Sequence, residues 1–343
     1  MKRKRFLSSL LGGPLLSAAV LKSEPGLKQG HLNDLIWRIP PYLKPGDTIG
    51  ITCPAGFMTL EEIQPAVHTM KNWGFNLRIG STVGKRDFIF GGTDVERLND
   101  LQQMLDDSSI QAIMCARGGY GCVRIIDMLD WKKFIEKPKW VVGFSDITVI
   151  HAHLNHQFHI ASIHSKMCNS FPEDLTLTEN GQWESILSIR SALTGKPIEY
   201  PIPTDPANRA GTGSGILVGG NLKTIESLAG SASDLFTDGT ILFLEDTGEY
   251  LYSIDRMFYN LSRTGKLKNL NGLLIGSFRV KPDDPGDDFG QSIYNIVLDH
   301  VSSYKYPVCF NFPVGHVKTN YALKCGVRHE LNIDSDSVRF KET

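Results

Sequence analysis

The chain has 343 residues, 41% apolar and 9% aromatic, enough for about two domains at roughly 150 residues each and for a buried core. Its 36 Lys and Arg against 37 Asp and Glu give a net charge of −1. No overall basic field exists to hold a polyanion, so nucleic acid is excluded as an expected partner, and the even spread of apolar residues excludes a disordered class.

The first element is set apart by its charge. Lys2, Arg3, Lys4, Arg5 and Lys22 are the only charged residues before Glu24, and the rest of the chain carries 31 basic against 37 acidic groups. The basic start, the uncharged stretch Phe6 to Leu21 and the small residues Ser17, Ala18 and Ala19 have the layout of a secretory signal peptide. That stretch is shorter than the ~20 residues a spanning helix needs, and Gly12, Gly13 and Pro14 interrupt it. Residues 1–24 are therefore expected to direct export to the periplasm and to be removed, leaving no stable membrane insertion; if they are not a functional signal, the chain stays cytoplasmic. The run Arg3 to Leu7 resembles a twin-arginine signal with Lys in one Arg position, and no Cys precedes Cys53 to accept a lipid.

From residue 47 short β-rich runs alternate with helical periods, the pattern of an α/β layer fold. Asp47 to Cys53 reads as a strand. Thr59 with Glu62 forms a capping box, after which Leu60, Ile63, Val67, Met70 and Trp73 recur at helical spacing until Gly74. A strand at Phe75 to Ile79 follows. Thr93 with Glu96 repeats the capping signature and predicts a helix buried through Val95, Leu98, Leu101, Met104 and Leu105. Apolar runs at Ala112 to Ala116 and Trp140 to Val142 read as buried strands, the first ending in a glycine turn. The chain looks helical from Asp146 onward.

Residues 39–178 thus read as an N-terminal domain. The polar stretch 179–213, with Pro197, Pro201, Pro203 and Pro206, reads as a linker without regular elements. Residues 214–343 form a second domain with strands at Thr240 to Leu244 and Gly272 to Ile275, helices near Ile254 to Leu261 and Ser292 to Val301, and short strands to the end. No internal repeat is visible.

Three segments place a reactive side chain at a strand end. In Val141 to Thr148, Ser145 stands at a strand-to-helix corner, where the first amides of the next helix can stabilise an oxyanion. The residue types allow a nucleophile or a plain helix cap, since Ile147 breaks the G-x-S-x-G elbow. In Ile241 to Asp246 an apolar strand delivers Glu245 and Asp246, either of which can orient an imidazole or cap a turn. In Phe312 to His316, His316 lies in a loop, as a general base or a surface residue. The order Ser, Glu, His is compatible with a nucleophile, orienting acid and base. A fourth segment, Cys115 to Gly121, has adjacent glycines that let a backbone approach a substrate, and the Gly119 N–H is a candidate oxyanion donor. No P-loop sequence occurs, and Gly211, Gly213 and Gly215 lack dinucleotide-fingerprint spacing.

Two other groups carry weaker chemistry. His151, His153, His156, His159 and His164 crowd one region, but without H-E-x-x-H or an interspersed carboxylate no metal site is expected. Six cysteines at irregular spacing form no C-x-x-C; a thiol nucleophile at Cys115 or Cys122 is disfavoured, and whether any pair bridges is not legible.

The segments resemble the LD-carboxypeptidase family, serine peptidases that include muramoyltetrapeptide carboxypeptidase and the microcin C self-immunity proteins. The matching blocks are LKPGDTIGITCP at Leu43 to Pro54, GGTDVERLND at Gly91 to Asp100, ARGGYG at Ala116 to Gly121, GFSDIT at Gly143 to Thr148, GGNL at Gly219 to Leu222, LFLED at Leu242 to Asp246, IDRM at Ile254 to Met257 and PVGHVKTN at Pro313 to Asn320. They run in family order over nearly the whole chain after residue 40.

The resemblance implies Ser145 as nucleophile, Glu245 as triad acid, His316 as triad base and the backbone N–H groups of Gly119 and Asp146 as the oxyanion hole. It further implies an N-terminal Rossmann-like or flavodoxin-like parallel-sheet domain, a C-terminal α/β domain with small β-barrel character, a site between them, a homodimer, and no metal or organic cofactor. The implied activity is release of the terminal D-Ala from a murein tetrapeptide through an acyl-enzyme. Cleavage of peptidyl-nucleotide antibiotics and non-catalytic binding of wall peptides are the alternatives. Arg117 or Arg256 is a candidate for the substrate's terminal carboxylate. The chain departs from the family pattern at His164-Ser165-Lys166-Met167, where relatives read His-Gly-Pro-Met, and at Leu323-Lys324-Cys325-Gly326, where they read Leu-Pro-x-Gly. Its signal-like start also contrasts with the cytoplasmic setting of the family's recycling enzymes.

Overall fold

A computed structural model describes residues 36–174, 178–179, 181–197 and 199–343; the expected signal peptide lies outside them. Among the described residues no helix is long and apolar enough to cross a membrane. The first sheet contains β1 (Thr48–Thr52), β2 (Asn76–Ile79), β3 (Ala112–Cys115), β4 (Trp140–Gly143) and β5 (Ser162–His164), parallel and ordered β5-β4-β3-β1-β2. That is the flavodoxin-like order, whose direction reverses between β1 and β3 and opens a crevice at their carboxyl ends.

Strand alternation divides the sheet's burial between its faces. Ile49, Ile51, Ala112, Met114, Trp140 and Val142 pack with α1 (Gln64–Asn72) and with Ile186, Ile189, Ala192 and Leu193. Ile113, Cys115 and Val141 face α2 (Asp94–Asp106) and a larger core that continues into the second sheet. The strands are buried on both sides, which is why they read as unbroken apolar runs.

Three local expectations are corrected. The Thr59–Glu62 capping box forms, but it closes a turn; α1 starts at Gln64 with Pro65 in its first turn, and Leu60 is exposed. The Thr93–Glu96 box caps α2 as expected, yet Val95 points to solvent and the buried Arg97 takes part of the inner face. The stretch 179–213 is not devoid of structure. After α3 (Lys132–Glu136) and α4 (Thr148–His153), it supplies α5 (Gln182–Leu193), whose residues Ile186, Ile189, Ala192 and Leu193 belong to the first core.

The second sheet contains β6 (Gly211–Asn221), β7 (Ile241–Thr247), β8 (Gly272–Arg279) and β9 (Val308–Cys309), all parallel. Strand β10 (Leu323–Cys325) returns to the first sheet and pairs antiparallel with β5, tying the two halves of the chain together. Strands β11 (Arg328–Ile333) and β12 (Val338–Glu342) extend the second sheet antiparallel beside β6. Residues 211–216 of β6 pair with β11 and residues 217–221 with β7. The strand changes partner midway, and the sheet curls into a half-barrel. Phe243, Phe312 and Phe340 fill its concave side, while α6 (Leu222–Ser227), α7 (Leu251–Arg263) and α8 (Ile293–Val301) cover the convex one.

Candidate active site

Strand β4 is fully buried and ends at Gly143; Phe144 follows, and beyond it Ser145 has φ +62°. A non-glycine residue there is strained, and the chain leaves it directly into a single 3-10 turn, Ser145–Ile147, that leads into α4. Ile147 folds back over Gly143, where a methyl group would stand 2.8 Å from Ile147 Cγ1. The corner holds Ser145 half-buried at the carboxyl end of the sheet.

The glycine turn after β3 lies against this corner. A methyl group on Gly118 would stand 3.0 Å from Ser145 Cβ and 3.1 Å from the Phe144 carbonyl oxygen. Gly119 adopts φ +106°, a conformation only glycine takes readily. The Gly118 carbonyl accepts from the Gly56 N–H at 2.9 Å, joining the loops after β1 and β3. The buried Asp146 carboxylate accepts from the Cys122 N–H at 2.8 Å, and burial raises its pKa, partly opposed by the Cys122 and Gly121 amides. Arg97 donates to the carbonyls of Pro54 at 2.5 Å and Gly121 at 3.0 Å. It clamps the same two loops from α2.

Across the crevice, Glu245 follows Ile241 and Phe243 on the concave side of β7 and is 0% exposed. The β7–β8 register shifts here, with Gly276 and Ser277 set against the single residue Glu245. Such a bulge redirects side chains, and Gly276 and Gly315 supply the space, since a methyl on either would crowd the Glu245 side chain. His316 Nδ1 lies 2.7 Å from Glu245 Oε2. The His316 loop is fixed by the Gly315 N–H donating to buried Asn320 Oδ1 at 2.9 Å. The imidazole ring packs on Phe144, the residue before Ser145, with centroids 4.8 Å apart. Among the described residues Ser145 and His316 form no direct hydrogen bond; such bonds are often loose in unliganded enzymes.

Adjacent Asp246 points to the opposite face. It accepts from the Lys223 N–H at 2.8 Å and the Thr247 N–H at 2.7 Å, and burial pushes its pKa up to about 6. One carboxylate meets the imidazole and its neighbour caps α6. Arg117 is exposed, its guanidinium 5.8 Å from the Phe57 ring centroid, and has no ion-pair partner among the described residues. Arg256 lies over Tyr252 at 5.4 Å.

Two histidines of the cluster take structural partners: His151 Nε2 meets the Gly143 carbonyl at 2.9 Å and His153 Nδ1 meets Ser233 Oγ at 2.9 Å. No group of three or more His, Cys, Asp or Glu is placed to hold a metal among the described residues. All six cysteines are buried and free. Burial drives the Cys115 and Cys122 thiols well above their ordinary pKa, which removes the thiolate a nucleophile needs. Residue types alone did not point to Arg97, Asn320 or the Asp146 carboxylate as supports of the site; Arg97, at helical spacing among apolar positions of α2, carried the one readable signal.

Two mostly parallel sheets, the second curled into a half-barrel, with a strained serine at the strand ends of one and a buried Glu paired with His at those of the other, define a two-sheet α/β enzyme of the hydrolase class. The LD-carboxypeptidase N-terminal domain matches residues 49–165 and the LD-carboxypeptidase C-terminal domain matches residues 214–331. The chain belongs to the LD-carboxypeptidase family and is a carboxypeptidase. A Synechocystis sp. protein carrying a carboxypeptidase name is 30% identical over 302 residues, covering 88% of this chain and 96% of its own. The murein tetrapeptide carboxypeptidase of Pseudomonas aeruginosa is 27% identical over 283 residues, covering 81% and 91%. The crystal structure of muramoyltetrapeptide carboxypeptidase from Oxalobacter formigenes superposes with a TM-score of 0.76 at 26% identity, covering 86% of this chain and 98% of that one.

The contact between Gly118 and Ser145 yields a test of the corner. Gly118→Ala is expected to lower turnover about 10- to 100-fold, because small displacements of reacting groups cost that much, while the melting temperature moves by only a few degrees. Steady-state kinetics and a thermal melt of the same preparation check it.

Proposed function

We propose that the enzyme is a serine LD-carboxypeptidase that releases the terminal D-Ala from murein tetrapeptides. The observation that carries this reading is the 2.7 Å hydrogen bond between buried Glu245 and half-buried His316, facing the left-handed Ser145. His316 donates its Nδ1 proton to Glu245, which leaves the Nε2 lone pair to take the proton of Ser145 Oγ as that oxygen attacks the scissile carbonyl. The Gly119 and Asp146 N–H groups stabilise the resulting oxyanion. As the intermediate collapses, His316 returns the proton to the leaving amine and D-Ala departs. Water then attacks the acyl-enzyme with His316 again as base, freeing the tripeptide carboxylate and Ser145.

The names of the Pseudomonas and Oxalobacter relatives support the murein substrate. The signal-like residues 1–24 support action beside the wall itself. Mass spectrometry of purified murein tetrapeptide incubated with residues 25–343, in the presence of a chelator, tests the activity. Loss of one D-Ala with the wild type and not with Ser145→Ala is the expected result. An uncut tetrapeptide beside a cut peptidyl-nucleotide would move the enzyme to the antibiotic-cleaving branch, and binding of the tetrapeptide without any cleavage would make it a wall-peptide binder.

A further inference from the structure

Lys166 stands two residues beyond β5, at the same sheet end as Ser145. Its Nζ donates to the carbonyl oxygen of Val317, the residue after His316, at 2.6 Å. Its chain neighbour Met167 reaches the glycine turn, since a methyl group on Gly118 would meet both Met167 Cε at 3.3 Å and Ser145 Cβ at 3.0 Å. The segment therefore runs from the nucleophile corner to the His316 loop, and the lysine is 9% exposed.

Four lysines are buried among the described residues: Lys139, Lys166, Lys266 and Lys324. Lys266 and Lys324 pair with Asp234 and Glu342. Lys139 donates to two carbonyls, those of Met104 and Asp107, at the carboxyl end of α2, where the helix dipole favours a cation. Lys166 has a single backbone carbonyl and no carboxylate partner among the described residues, and burial draws its pKa down to about 8. A buried ammonium without a counter-charge is costly, and the arrival of an anion offsets that cost.

We propose that Lys166 is a specificity-determining residue that receives the α-carboxylate of the departing D-amino acid. The inference rests on the carboxypeptidase mechanism above. The departing amine takes its proton from His316, and its carboxylate is separated from that nitrogen by one carbon. A cation bonded to the carbonyl next to His316 lies on the departing side. Arg117, exposed over Phe57 beyond β3, lies toward the β1–β3 side of the crevice.

The test compares murein tetrapeptide with the same peptide ending in D-alaninamide, using wild type, Lys166→Met, Lys166→Arg and Arg117→Ala. Loss of a buried charge-assisted contact is expected to cost about 10²-fold. The free-acid to amide ratio of kcat/KM should therefore fall about 10²-fold in Lys166→Met, and Lys166→Arg should recover much of it. A merely structural lysine would depress both substrates alike and leave the ratio unchanged, which would overturn the inference. Transfer of the effect to Arg117→Ala would overturn it too. If wild type cuts the tetrapeptide and the ratio ignores Lys166, only this inference falls; if wild type cuts neither peptide, the murein reading falls with it.

Discussion

Ser145→Ala is expected to reduce tetrapeptide turnover by about 10⁴- to 10⁶-fold, the range found when a serine nucleophile is removed. Ser145→Gly is expected to be as inactive and to unfold at a higher temperature than either the wild type or the alanine variant. The reason is the backbone. A left-handed residue with a Cβ costs roughly 1–2 kcal/mol, and Ser145 sits at φ +62°. Glycine adopts that conformation without the clash, while alanine keeps it. For a chain of this size about 1 kcal/mol corresponds to roughly 1–2 °C. Parallel measurement of turnover and melting for the three proteins separates the two effects. An alanine variant that turns over near the wild-type rate would remove Ser145 from the mechanism, and a glycine variant no more stable than alanine would show that the corner stores no strain.

The same backbone physics explains which parts of the molecule could be read from its sequence. Strands β1, β3 and β4 were legible because each is covered on both faces and so appears as an uninterrupted apolar run. The α2 boundary was legible because Thr93 and Glu96 exchange hydrogen bonds within one turn, a purely local event. Helix α5 was missed although its apolar residues recur at helical spacing, because the prolines after residue 196 suggested an irregular segment and were extended too far back. Strand β10 falls within the short strands expected at the end of the chain, but its return to the first sheet could not be foreseen. Its partner β5 lies some 160 residues earlier, and three residues carry no local sign of a distant pairing. Among the site residues, Ser145, Glu245 and His316 stood out through motif resemblance, while the role of Asp246 as the cap of α6 came only with the structure. Lys166 appeared in the sequence as a departure from pattern, and its route toward the His316 loop is a tertiary fact.

Glu245→Gln is expected to lower kcat by about 10³- to 10⁴-fold, by analogy with the same exchange in other serine-type triads, with little change in KM. Glu245 makes its contact with His316 and is 0% exposed, so the substrate does not touch it. Glutamine fills the same volume. Its amide can donate to Nδ1, however, and that selects the tautomer with a proton on Nε2, which has no lone pair to accept the proton of Ser145. Stability is expected to hold or rise, because a neutral amide is easier to bury than a carboxylate. Asp246→Asn supplies the contrast. Its carboxylate accepts from the first turn of α6 and from the Thr247 N–H, so the exchange should appear in the melting temperature and leave kcat within a few-fold. Equal losses of turnover in the two variants would mean that the strand end acts as one electrostatic unit, whereas a loss confined to Glu245→Gln follows from a carboxylate that sets the state of one imidazole.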